Sequence, residues 1–569
     1  MSDTRWQEAV QGAMLAFAVG DALGWPLETR GNRVGGTSEL RATLDLRSWT
    51  RREGGRFAPH EEQLPVGAYS DDTQLTLAVA RSLSYDDHWW DYFTDAELPW
   101  WPHYELGGGG ASKRAARAWA RGIAPWGRGG ARGYWTAGGN GAAMRILPHC
   151  THRGVPFEYV RRRVLADGAA THGDPLALLG GQLYAYALWM TLQRSESLRW
   201  GELLDELLMD AGLWTLLELD AVPRAWAEHV PSDYQARWRE TTRRTIDQLA
   251  RARDEMRNGA LTIDEQVLHE LGAFSEASGA GTITAVSAVY LASRHAANPQ
   301  HGLLRAAFAR GADTDTLAAM TGALLGALHG PGWLERAAHD VMDADLLTHV
   351  LSDRRRTQPA TPYSRAAQRH VDEQLAFADR GDRLDLPFYG DVEILAVHDL
   401  DNRASHIRSW WMRNRSGQTF RVKRISRTDP APWMPLPSHA ELVITAPATT
   451  QVENGRIRSG LVVRVADISD ARTFYTLVLG LDVTRETATQ VVLAGWLALE
   501  HDPHPEQTRF RFADTADQMT ITLYADDITF RSITERLKAL GHSHRIDHDG
   551  RRLRTADFEE TPIEIRLTS

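Results

Sequence analysis

At 569 residues the chain is longer than one hydrophobic core supports, and two or three folded units are expected. With 43% apolar and 24% charged residues it is not the composition of a disordered chain, and a net charge of −10 with a pI near 6.1 argues against a broad electrostatic grip on nucleic acid. A single cysteine, Cys150, excludes an intrachain disulfide and a thiolate zinc cluster, which suits a reducing, cytoplasmic setting. The start lacks a basic leader, and the apolar residues 14–19 are too few for a membrane span.

From the N-terminus to about residue 350 the hydrophobic periodicity is helical, interrupted by Gly-rich loops. Gly12, Ala16, Gly20 and Gly24 recur every four residues, and so do Gly322, Gly326 and Gly330 at the far end of the region. Rows of this kind lie on one helix face and allow close backbone approach, so packing of these two helices would bring the acidic residues beside them to a shared centre. Past the first row, Asp21 and Glu28 stand in Gly-Asp-Ala-Leu-Gly-Trp-Pro-Leu-Glu; their ordinary readings are a backbone bond near a helix end and a solvated side chain.

Two acidic clusters follow, Ser70-Asp71-Asp72-Thr73 and Asp313-Thr314-Asp315-Thr316, each opening a run rich in Leu, Ala and Gly. Either alone reads as a helix cap, because Ser, Thr and Asp accept from orphan N–H groups and Asp favours the positive end of the helix dipole. Brought together, four Asp side chains would repel one another unless cations neutralised them, and oxygen-only ligands suit Mg²⁺ or Mn²⁺. Between the clusters, Gly107, Gly108, Gly109 and Gly110 lead into one helix, and Gly139, Asn140 and Gly141 precede Met144 and another. Such turns can hold phosphate on exposed N–H groups, although a tight connection is the commoner use. His172, in Thr-His-Gly-Asp-Pro, reads by itself as a capping or core histidine.

Residues 366–380 read as a further helix, and beyond Pro387 the chain turns to strands at 392–397, 419–424 and 442–445. From about 456 the order becomes strand, helix, three strands, twice over: 460–466, 471–479, 489–499, then 519–524, 528–540, 544–547, 553–556 and 563–566. The expected division is 1–380 as an all-α domain, 381–455 as a β-containing linker or small domain without an assigned role, and 456–569 as an α+β domain of two βαβββ halves. His542, His544 and His548 read as solvated loop residues, and the short run of Arg and Gly at 127–133 as a loop.

Five ordered motifs over residues 9–332 resemble the ADP-ribosylglycohydrolase family: GDALGWPLE, SDDTQLTLA, the four-glycine turn, GNGAAMRILP with THGDP, and GADTDTLAAMTGALLGALHG. The resemblance implies an all-α bundle holding two Mg²⁺ or Mn²⁺ ions. Ser70, Asp71 and Asp72 would ligate from one side and Asp313, Asp315 and Thr316 from the other, with Glu28, Asp72 and Asp315 as catalytic groups. Gly107, Gly108, Gly109, Gly110, Gly139, Asn140, Gly141 and Met144 would cradle the diphosphate, and His172 would face the distal ribose. The implied activity is hydrolysis of the bond between ADP-ribose and an acceptor, arginine first. The alternatives are a non-catalytic ADP-ribose sensor and a small-molecule-binding protein governed by its last domain.

Residues 458–569 resemble the glyoxalase and bleomycin-resistance, or vicinal-oxygen-chelate, superfamily. Glu500 and Glu564 match two of its four usual metal-ligand positions, whereas Gly460 and Thr520 stand at the other two. Two carboxylates are too few for that site, so a binding module without a metal is expected, with dimerisation through it as an option.

Overall fold

Ser2 caps the first helix, its hydroxyl accepting from the Arg5 N–H at 3.2 Å, and α1 runs Asp3–Gly24. The computed structural model describes residues 2–28, 42–53, 60–352 except 195, 258, 260 and 261, 361–401 and 406–426, together with the shorter strand and helix pieces named below. The other helices used here are α2 (Asp71–Leu83), α3 (Gly110–Ala120), α4 (Phe157–Ala169), α5 (Pro175–Gln193), α6 (Tyr234–Arg257), α7 (Gly281–Arg294), α8 (Pro299–Ala307), α9 (Thr314–His329) and α10 (Arg365–Ala376).

Helix α1 is buried on every side from Gly12 to Gly24, and α9 is buried from Thr314 to Ala327, as befits helices that are apolar all round. Their contact is backbone against backbone. A methyl group at Gly12 would stand 2.6 Å from Gly330 Cα, and one at Gly24 would stand 2.7 Å from Asp315 Cα, so neither position has room for alanine. The Thr314 hydroxyl donates to the Gly24 carbonyl at 2.8 Å and ties the start of α9 to the end of α1. The paired small-residue rows therefore do what their spacing predicts.

Strands β1 (Arg33–Val34), β2 (Trp49–Glu53) and β3 (His60–Leu64) make a small sheet, so the N-terminal domain is mostly helical but not all-α. Burial alternates along β3, where Glu62 faces inward. That carboxylate is paired with Arg51 at 3.1 Å and with Arg421, which lies far along the chain. With His60 and Glu62 inward and only Leu64 apolar, the strand shows no hydrophobic alternation, which is why the sequence pattern misses it.

Beyond α10, strands β4 (Arg383–Leu386), β5 (Gly390–Asp401), β6 (His406–Asn414) and β7 (Thr419–Ser426) form a sheet in chain order. Its inner residues Tyr389, Ile394, Trp410, Met412 and Phe420 share a core with Leu75, Val79 and Leu83 of α2. Met1–Arg52, Glu61–Leu400 and Ile407–Ile425 make one compact unit, and Glu53–His60, Asp401–His406 and Ser426–Ser569 make a second.

In the second unit, β9 (Leu461–Val465), β10 (Val483–Thr487), β11 (Gln490–Leu493) and β12 (Leu497–His501) form one sheet, with β12 parallel to β9 and Glu500 opposite Arg464. Strand β8 (Val443–Ile444) joins β13 (Ile521–Ala525), β14 (Arg545–Ile546), β15 (Arg552–Ala556) and β16 (Pro562–Leu567) in another, with β16 parallel to β13 and Glu564 opposite Thr522. Each group thus places its last strand parallel to its first, with helical residues (472, 475 and 476; 531, 533–535 and 537) between the first strand and the second. Gly460, Thr520, His542, His544 and His548 lie outside the described residues.

Candidate active site

The close pairing of α1 with α9 sets the chemistry, because it delivers Asp21, Glu28, Asp313 and Asp315 to one end of the bundle. Asp21 is fully buried on α1 and accepts from Ser70 N–H at 2.9 Å, Thr73 N–H at 3.0 Å and the Thr73 hydroxyl at 2.6 Å. It caps α2 from another helix, so its backbone-bonding reading holds, with the partner 49 residues away rather than nearby. Ser70 also caps α2, accepting from Asp72 N–H at 3.2 Å. With those donors satisfied, the side chains of Asp71 and Asp72 are not needed as caps. Asp72 is 2% exposed and its Oδ2 has no hydrogen-bond partner.

At α9 the lead residue Asp313 occupies the cap position without capping. Its Oδ2 instead accepts from Asn140 Nδ2 at 3.1 Å, and Asn140 also donates to the Thr284 hydroxyl on α7 at 3.2 Å. Asp315 accepts from Thr316 N–H at 2.9 Å and is nearly buried. Burial pushes Asp71, Asp72 and Asp315 well above the usual carboxylate range, and neighbouring charges add to it: Glu105 and Asp21 on Asp71, Asp21 and Asp71 on Asp72, Glu28 and Asp313 on Asp315. The Thr316 hydroxyl partly offsets this at Asp72.

These carboxylates share one electrostatic neighbourhood without converging on a point. Among the described residues, no group of three or more His, Cys, Asp or Glu side chains is gathered tightly enough to hold a metal ion. The donor set nonetheless fits a hard divalent cation, since buried like charges and the orphaned Asp72 Oδ2 are what such a cation relieves.

A cleft of about 350 Å³ opens beside the Asp313 side of the cluster, lined by Glu28, Gly139, Asp313, the 276–280 segment and residues 311 and 312. Glu28 ends the short turn that follows α1 and is half-buried rather than solvated. The 276–280 segment went unread in the sequence, although its Ser-Gly-Ala-Gly run before α7 carries the same Gly-rich sign used elsewhere. It is clamped to the 138–140 turn: Asn140 N–H donates to the Gly279 carbonyl at 2.8 Å and Gly281 N–H to the Gly138 carbonyl at 3.0 Å. Glu105, which opens the four-glycine turn, accepts from Gly108 N–H at 2.7 Å and pairs with Lys113 at 3.4 Å.

The other expected substrate contacts lie elsewhere. Gly107 has φ +93° over the Trp25 ring, and a methyl at Gly108 would stand 2.6 Å from the Trp101 ring, so these two glycines serve a turn and its packing. Gly109 and Gly110 are exposed at the start of α3. Met144 is buried in the core that α2 shares with the β4–β7 sheet. His172 is buried under the 139–141 turn, 2.7 Å from the Thr171 hydroxyl, and burial together with Arg145 and Arg114 lowers its pKa to about 3, so the ring is neutral. None of these lines the cleft.

A model of the ADP-ribosylglycohydrolase family matches residues 2–362. Among solved structures, an ADP-ribosylglycohydrolase-related protein complex is similar at 23% identity, covering 61% of this chain and 97% of that one with a TM-score of 0.39. A lactoylglutathione lyase from Agrobacterium tumefaciens is similar at 17% identity over 20% of this chain and 96% of that one, and the fosfomycin resistance protein FosX from Mesorhizobium loti at 16% over 21% and 94%, each with a TM-score of 0.16. No curated protein matches.

Proposed function

The chain belongs to the ADP-ribosylglycohydrolase family, and from that premise we propose that it frees ADP-ribose from modified arginine side chains with the help of two divalent cations, Mg²⁺ or Mn²⁺. Membership makes it a glycosyl-bond hydrolase acting on ADP-ribose linkages. The observation that carries the rest is the meeting of the α2 and α9 starts, with Asp72 Oδ2 buried and unpartnered among other carboxylates.

Ser70, Asp71, Asp72, Asp313, Asp315 and Thr316 would hold the cations. When bound, these would neutralise the carboxylates, orient the ribose hydroxyls and polarise water. Glu28, half-buried on the cleft wall, is the first candidate to take the proton of the attacking water as the glycosidic bond opens through an oxocarbenium-like state. Asn140 holds Asp313 in place, and the clamped 138–140 and 276–280 segments offer a walled recess for the nucleotide. Gly109 and Gly110, exposed at the start of α3, would approach the diphosphate, with the neutral His172 beneath the 139–141 turn.

The proposed domain limits are 1–380, 381–455 and 456–569, in a cytoplasmic protein. The last part would be a vicinal-oxygen-chelate-like binding module without a metal, supported by its two parallel first-to-last strand pairings. Among the described residues no helix is long and apolar enough to cross a membrane.

The test is release of free ADP-ribose from ADP-ribosyl-arginine protein, ADP-ribosyl-serine peptide and ADP-ribosylated DNA, with Mg²⁺, with Mn²⁺ and with chelator. Cation-dependent release from the arginine substrate is expected. Release from another substrate would reassign the acceptor, and binding without release from any would turn the reading to a sensor.

A further inference from the structure

The family match ends at residue 362, yet the sheet that follows is built into the surroundings of α2, the helix that carries Ser70, Asp71 and Asp72. Its contacts reach α2 at both ends and along one side. At the start, Tyr69, the residue before Ser70, donates its hydroxyl to Asp343 Oδ2 at 2.7 Å. The same carboxylate is held from β7, where Thr419 donates its N–H to Oδ2 at 2.7 Å and its hydroxyl to Oδ1 at 2.6 Å. Asp343 adopts φ +61°, a backbone conformation unusual for a residue other than glycine, and Met342 N–H donates to the Gly67 carbonyl at 3.0 Å beside it.

At the other end, Arg81 of α2 forms a two-point ion pair with Glu97 at 2.6 and 2.7 Å and also donates to Gln418, the residue before Thr419. Along the side, Phe420 packs edge-on against Tyr104 with ring centroids 5.0 Å apart, in the core that covers Leu75 and Val79. Arg421, two residues after Thr419, pairs with the buried Glu62. Four consecutive residues, Gln418, Thr419, Phe420 and Arg421, thus reach α2 or its immediate supports. Each polar contact joins groups far apart in sequence, and the Tyr69–Asp343–Thr419 set is buried, where hydrogen bonds are geometrically demanding.

We propose that the β6–β7 hairpin is a positioning element of the active site: through Asp343 and Tyr69 on one side and Arg81 on the other, it sets where α2 presents Ser70, Asp71 and Asp72 to the cations. The proposal rests on the cation-binding reading given above. In it, Thr419, Asp343 and Tyr69 touch neither substrate nor cation and act through the backbone that leads into Ser70.

The experiment is direct Mn²⁺ binding to the full chain, followed by electron paramagnetic resonance or calorimetry, with thermal unfolding measured in parallel. Thr419→Val and Tyr69→Phe, which remove one hydroxyl each from opposite sides of Asp343, should each weaken Mn²⁺ binding about tenfold, the usual cost of losing a group that orients a ligand. Thr419→Ser, which keeps the hydroxyl, should restore it. Leu204→Ala, a buried change in a separate helix, should lower the melting temperature and leave Mn²⁺ affinity unchanged. Wild-type affinity in a folded Tyr69→Phe or Thr419→Val protein overturns the proposal, as does an equal loss of affinity in Leu204→Ala. Failure of the wild-type chain to bind Mn²⁺ overturns the cation reading itself, and the proposal with it.

Discussion

At the start of α2, two residues take the orphan N–H groups, Ser70 from within and Asp21 from α1, while at the start of α9 Asp313 occupies the cap position and caps nothing. The two acidic clusters look alike as strings of Asp, Ser and Thr, and either would serve as a helix cap. In the folded protein capping and charge are divided between different residues. Asp21 relieves Asp71 and Asp72 of the cap at α2, and at α9 Asn140 engages Asp313 from a separate loop. The lesson is that an acidic helix start becomes available for ligands when another part of the chain satisfies its backbone, or when the backbone is left without a side-chain cap.

The largest effect expected from this contrast is on turnover. Asp315→Ala should lower the rate of ADP-ribose release by about 10³-fold, on the scale of losing an oriented charge-stabilising group, while far-ultraviolet dichroism stays unchanged. A folded Asp315→Ala protein with wild-type turnover would break the equivalence drawn between the two clusters.

Next in size is a difference in stability. Asp21→Ala strands two backbone N–H groups and a hydroxyl in a buried setting and should cost about 3 kcal/mol in urea unfolding, whereas Asp313→Asn removes no cap and should change metal-free stability by less than about 1 kcal/mol. Equal losses in the two variants would show that Asp313 supports α9 as Asp21 supports α2.

A smaller effect isolates the α9 side. Asn140→Ala frees Asp313 without touching α2, and Mn²⁺ affinity should fall about tenfold. Retention of wild-type affinity by calorimetry would make Asn140 a fastener of the 138–140 turn only.

A further effect is a pH dependence. His172, under the same turn, is neutral with a pKa lowered from 6.5 to about 3 by burial. A depressed histidine pKa means that the unfolded chain binds the proton more readily. Its contribution to stability is therefore full above pH 6.5 and is lost as pH falls toward 3. His103, lowered to about 4 by burial, adds to the same slope. Replacing His172 by Gln should flatten the decline in urea midpoint between pH 6.5 and 4; an unchanged slope would mean that the ring is solvated.

Much of this was legible from residue types and spacing. The Gly rows at 12–24 and 322–330 foretold the α1–α9 contact, because four-residue spacing and the absence of a side chain admit one physical use in a buried helix. The carboxylates of the cluster were visible as charges that a core does not accept singly. In the last 110 or so residues β9, β13, β15 and β16 fall where alternation and turns place them, whereas β10 was not expected and the stretch 489–499 divides into β11 and the start of β12. The rest has either no local signature or one whose use depends on distant neighbours. The inward Glu62 of β3 is acceptable only beside Arg51 and Arg421, and strand β6 and the 276–280 cleft wall show their use only against neighbours from other parts of the chain.

The amino-acid order by itself determined the helical body, the two acidic starts and their pairing through small residues, since helix propensity, capping chemistry and side-chain volume act over a few neighbouring positions. Which carboxylates cap and which stay available, the burial that raises their proton affinity, and the hairpin that holds α2 from beyond the family match were decided by tertiary structure alone. Hydrogen bonding and desolvation depend on who lies alongside, and those neighbours come from far along the chain, 274 residues away for Tyr69 and Asp343 and 337 for Arg81 and Gln418.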